Sequence, residues 1–205
     1  MRTAQTVASL RADLASSSLD VRSHAMLDLV QLVKRDAATH GEALPLFEQF
    51  IREAKDPSPT GVALRGYEYL RGPEAARPLR MALLQDPRPN MVVFVLMDTT
   101  SAGMVPTYVG LLERHTDQRL RETVIRKLGK AQDPAAFEPL VALLPHAELR
   151  PHVVEALADL RDARAIPHLQ PLLFDRTEAW PMDNHGPMLS VADLAAEALR
   201  RLPVH

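Results

Sequence analysis

The chain has 205 residues, 46% of them hydrophobic and 24% charged, the proportions of a folded chain with a buried core and not of a disordered one. Its net charge of −2 and pI near 6.4 lack the general basic excess that nucleic-acid binding uses. It has no cysteine, so disulfides and thiolate metal sites are excluded.

The N-terminal residues carry charge where a secretory signal needs an apolar run. No stretch approaches the roughly 20 apolar residues that span a bilayer. The expectation is a cytoplasmic protein with no membrane segment.

Taken in chain order, the apolar pattern predicts alternating helices, A and B. The A helices fall near 4–15, 42–54, 74–85, 104–114, 135–145 and 164–174. From the second onward each ends on an apolar pair such as Phe50-Ile51, Leu83-Leu84 or Leu143-Leu144, with a proline (Pro45, Pro78, Pro139) four or five residues before it. Proline is tolerated in a first helical turn, where its missing N–H would have no partner. The B helices fall near 19–35, 59–71, 89–100, 118–131, 148–160 and 189–202. Leu120 with Leu128, and Leu149 with Leu157, mark the apolar face of two of them, because residues eight apart share one side of a helix. Breakers such as Asp56-Pro57, Gly72-Pro73 and Asp133-Pro134 fall between the spans.

Two departures interrupt this order. Met91-Val92-Val93-Phe94-Val95-Leu96-Met97 is apolar on every side and by propensity reads as a buried strand. The register makes it a helix within a stack. Residues 175–187 form an insertion between the last A and B helices.

The segment beginning Leu128-Gly129 and running through Asp133-Pro134 to Leu143-Leu144 returns 29 residues later, from Leu157 to Leu172-Leu173. A fixed period of this size means stacked helix pairs. The pattern Leu120-Arg121, Val124, Leu128-Gly129, Asp133-Pro134, Leu140 and Leu143-Leu144 resembles HEAT repeats, in particular the short bacterial class named after phycobilisome lyases. Leu149-Arg150 with Val153, Ala156 and Leu157 repeats it. The resemblance implies an all-α fold, a right-handed α-solenoid of about six helix pairs over 1–205, with B helices on the concave side. The repeats run approximately 3–36, 41–71, 73–101, 103–131, 133–161 and 162–203. Members of this class include scaffolds, adaptors and chromophore lyase subunits, and a related fold serves as a DNA glycosylase.

Candidate binding residues follow from charge and from broken period. Arg22, Arg121 and Arg150 occupy one position in three B helices. They form either a basic ladder or a set of structural arginines bonded to turn carbonyls and acids. Arg119, Arg121, Arg126, Lys127 and Lys130 make the densest basic cluster, interrupted by Glu122, and His152 lies on the next B helix. The insertion holds Trp180, Asp183, Asn184 and His185; it serves either as a binding edge or as a cap on the terminal apolar face. Asp175, Asp183 and His185 match no metal-ligand spacing, so neither metal nor cofactor is expected. No nucleophile motif, zinc-protease motif or phosphate loop is present.

The leading expectation is a non-enzymatic scaffold that holds a protein or peptide on its B-helix face and the 175–187 loop. A bilin lyase-like subunit and a DNA-binding or glycosylase-like protein are the alternatives, with nucleic acid disfavoured by the charge. Self-association stays open.

Overall fold

Short polar side chains and prolines start the helices of this chain. The computed structural model describes residues 6–97, 103–179 and 188–203. The Thr6 side chain accepts from the backbone N–H of Ser9, Ser18 from that of Val21, and Asp117 from that of Leu120. Each satisfies an amide that the first helical turn leaves without a partner. Asp36, Asp133 and Asp162 do the same for short 3₁₀ turns.

The chain divides into two compact units, Met1–Asp98 and Thr99–His205. The first contains α1 (Val7–Leu14), α2 (Leu19–Arg35), α3 (His40–Glu53), α4 (Pro57–Arg71), α5 (Pro73–Leu83) and α6 (Pro89–Met97). Here α2 packs on α4 and α4 on α6, while α1 and α3 lie against their pair mates and α5 lies mainly against α4. Met26, Leu29, Phe47, Ile51, Ala63 and Leu84 are buried.

The second unit contains α7 (Val105–Arg114), α8 (Gln118–Lys130), α9 (Phe137–Val141), α10 (Arg150–Leu160), α11 (Ile166–Leu169) and α12 (Val191–Arg201). Here α8 packs on α10 and α10 on α12, with Leu120, Val124, Leu128, Val153, Leu157 and Ala195 buried. The fold is all-α, and within each unit it is a stack of helix pairs.

Two predicted A helices are shorter than the pattern implies. The span 135–145 resolves into a 3₁₀ turn at Pro134–Ala136 and the five-residue α9, and the span 164–174 into two 3₁₀ segments flanking the four-residue α11. Pro171 explains the second case, because without an N–H it cannot bond back to the carbonyl of Pro167. The last B helix begins at Val191, two residues later than its apolar pattern. Leu189–Ser190 instead pair antiparallel with Glu178–Ala179, placing Ser190 opposite Glu178.

The all-apolar segment is helical, as the register requires, and tertiary burial overrides its strand propensity. Met91, Val92, Val93, Val95 and Leu96 are buried, and the Phe94 ring sits against the backbone of Gly61 on α4, where a Cβ would overlap it. Met97, the last described residue of α6, is 64% exposed.

Candidate functional site

The repeated arginines of the B helices are placed by their position in the first turn of the helix, next to the turn that precedes it. Arg22 donates from Nη1 to the carbonyls of Ser16 (2.7 Å) and Ser17 (2.9 Å), and from Nε to Asp56 Oδ2 (3.0 Å). Arg150 does the equivalent in the second unit. Its Nε donates to the carbonyl of Leu144 (2.9 Å) and its Nη1 to Asp175 Oδ2 (2.7 Å). Each guanidinium thus ties a helix-pair turn to the acid that follows the next A helix. A planar fork with fixed donors suits this task.

Asp175 also accepts from the Thr177 backbone N–H (3.0 Å). Those bonds and Arg150 hold its carboxyl below the ordinary carboxylate range. The third arginine, Arg121, occupies the same register position, but the residue 29 positions before Asp175 is His146 and not an acid. The Arg121 Nε is buried without a hydrogen-bond partner.

A second arginine pattern was not anticipated. Arg88 chelates Asp86 and reaches back to the carbonyls of Ala54 and Lys55, the latter at 3.1 Å. Arg164 chelates Asp162 and reaches back to the carbonyl of Pro134 (3.3 Å). The signal was present in the sequence as an Asp two residues before an Arg in the turn ahead of a helix, Asp86-Pro87-Arg88 and Asp162-Ala163-Arg164.

With Arg150 held in the scaffold, further charged side chains of the second unit lie on α8, α10 and α12. Arg119, Arg126 and Lys130 recur at helical spacing along α8; Arg119 and Lys130 are exposed and Arg126 half-buried. Between α8 and α10, His152 Nε2 lies 3.3 Å from Glu122 Oε1, which also accepts from Gln118 Nε2 at 2.9 Å. Burial holds the His152 imidazole below its ordinary pKa; Arg126 acts in the same direction and Glu122 opposes. Nδ1 of His152 and Nε of Arg126 are buried without hydrogen-bond partners. Farther along, Asp159 of α10 pairs with Arg201 of α12. The structure therefore brings Arg126 and His152 together on one face with Glu122, and places Arg150 apart from them.

Trp180, Asp183, Asn184 and His185 lie outside the described residues. The ends of their insertion are pinned: the Val191 N–H donates to the Thr177 carbonyl (2.9 Å) and the Ala192 N–H to the Asp175 carbonyl (2.8 Å). Beside those ends, Phe174 is 84% exposed and Met188 is exposed. Among the described residues no group of three or more His, Asp and Glu side chains is placed to hold a metal, and no helix is long and apolar enough to cross a membrane.

Residues 105–180 match the family model for HEAT repeats. That interval runs from the start of α7 through Glu178–Ala179, and includes the Arg150–Asp175 tie and the Arg126–His152 face. No curated protein matches the chain.

Proposed function

We propose that this chain, whose residues 105–180 match the family model for HEAT repeats, is a non-enzymatic scaffold binding a protein or peptide across α8 and α10 of the second unit. HEAT repeats commonly serve protein interaction, and stacked repeats expose extended helix faces on which a partner can lie. The observation that carries the reading is the row Arg119, Arg126 and Lys130. Three cations share one side of α8, and Arg126 keeps a buried donor with no acceptor beside a histidine with a buried nitrogen in the same state. The exposed Arg119 and Lys130 and the accessible part of Arg126 offer charged donors to partner carboxylates. The partner fitting this row is an acidic segment of a protein. The acids Glu122 and Asp159 on the same two helices limit how long the acidic run can be and favour a register over nonspecific attraction.

Affinity capture from the native cell, with wild type and Arg126→Glu as baits and Glu138→Lys on the α9 surface as a control, tests this. The expected result is a partner held by wild type and Glu138→Lys and weakened about tenfold or more by Arg126→Glu. Equal capture by all three baits would remove the face from consideration. Turnover of a substrate by the purified chain would remove the non-enzymatic reading.

A further inference from the structure

We infer that the first unit carries a separate binding cleft, between α1 and α3, for a short peptide in which a bulky apolar side chain lies next to a carboxylate. The cleft has a volume of about 590 Å³, in the range of small-ligand and peptide pockets. It arises from unequal neighbours. Helix α1 has eight residues and α3 fourteen, and α1 passes into the small-residue turn Ala15-Ser16-Ser17. The last turns of α3 are left facing space, with Leu14, Leu46 and Phe50 on the apolar floor.

The wall is rigid. Arg22 lines it and is held by the carbonyls of Ser16 and Ser17 and by Asp56. Preorganisation of this kind lowers the ordering penalty of binding.

The charge at the mouth selects the occupant. The acid in the lining, Glu53, accepts from Gln49 Nε2 at 2.8 Å and lies 3.1 Å from Lys55 Nζ. These bonds hold its carboxyl below the ordinary range, so it stays ionised and compensated. Arg22 is compensated by Asp56. Arg11 remains, exposed on the rim with no carboxylate partner among the described residues. A cation over an apolar floor is complementary to an anion beside an apolar side chain. Ser17 and Gln49 line the same cleft as Leu14, Leu46 and Phe50. Their polar groups can bond the amides of a peptide and would be left without partners by an acyl chain.

The test is fluorescence anisotropy with a labelled octapeptide alternating glutamate with leucine and phenylalanine, titrated with the full chain. Two comparison peptides carry lysine for glutamate, or serine for the apolar residues. Saturable binding of the first peptide is expected, about tenfold or more above either comparison. Arg11→Glu, at an exposed position, is expected to weaken it by a similar factor. Ala15→Trp, which fills the cleft from its lip, is expected to abolish it, with helicity by circular dichroism unchanged for both variants. Arg126→Glu, on the second unit, leaves it unaltered. The inference is overturned by absence of saturable binding, by equal affinity for the lysine or serine peptide, or by equal affinity in folded Arg11→Glu and Ala15→Trp.

Discussion

The Arg150 guanidinium reaches the Asp175 carboxylate at 2.7 Å across 25 residues of chain, and Arg22 reaches Asp56 in the same way across 34. Both pairs are largely shielded from water, with side-chain exposures of 22% and 16% for the first and 14% and 21% for the second. Each guanidinium also satisfies turn carbonyls, so removing it leaves several acceptors unpaired at once. Arg150→Ala is therefore expected to destabilise the second unit by about 2–3 kcal/mol. Arg150→Lys should recover only part of that, because one ammonium cannot reproduce the fork. Urea unfolding followed by circular dichroism measures both; equal stability of Arg150→Ala and wild type would refute the role of the tie.

Gly129 sits where α8 closely approaches the backbone of α10. A Cβ there would lie 2.7 Å from both the Cα and the carbonyl oxygen of Ala156, backbone atoms that cannot turn aside. Gly129→Ala must push the helices apart, and about 1–3 kcal/mol of stability is expected to be lost. Gly110→Ala on α7 is the matched control, since nothing lies within 4 Å of its Cβ position. Better helix propensity should leave that variant as stable as wild type or slightly more so. Thermal melting of the two variants should therefore move in opposite directions, or only the first should move.

His152 makes stability depend on mild acid. Its folded-state pKa is lowered, chiefly by burial, against an ordinary value of 6.5. Above that value both folded and unfolded chains hold it neutral. As pH falls below it the unfolded chain takes up the proton first, so stability is lost progressively down to the folded-state value. The lowered carboxylates Asp86, Asp162, Asp175 and Asp193 act in a more acidic window. Denaturant midpoints between about pH 7 and pH 5.5 should fall for wild type and stay nearly level for His152→Gln. Parallel slopes for the two proteins would show that His152 does not titrate on unfolding.

Much of the architecture was legible before any coordinate. The 29-residue echo, the Asp and Pro helix starts and the eight-residue apolar spacing located the helix pairs, because capping and amphipathic periodicity act over one or two turns. Leu128-Gly129 was visible as a motif, but its reason, the backbone of Ala156 pressed against it, is a contact between helices. Arg22 and Arg150 show the same division. Their shared position could be read, while the choice between a basic ladder and a structural tie depended on where Asp56 and Asp175 came to lie.

Sequence alone thus determined the all-α class, the repeat and most helix starts, since these follow from local hydrogen bonding and from the spacing of apolar residues. Tertiary structure decided which charges are available. It tied Arg22 and Arg150 to distant carboxylates, left Arg126 and His152 side by side with unmade bonds, and opened the α1–α3 cleft. A charged side chain's role depends on what stands within about 4 Å of it, and for Arg22 and Arg150 those carboxylates come from the next repeat.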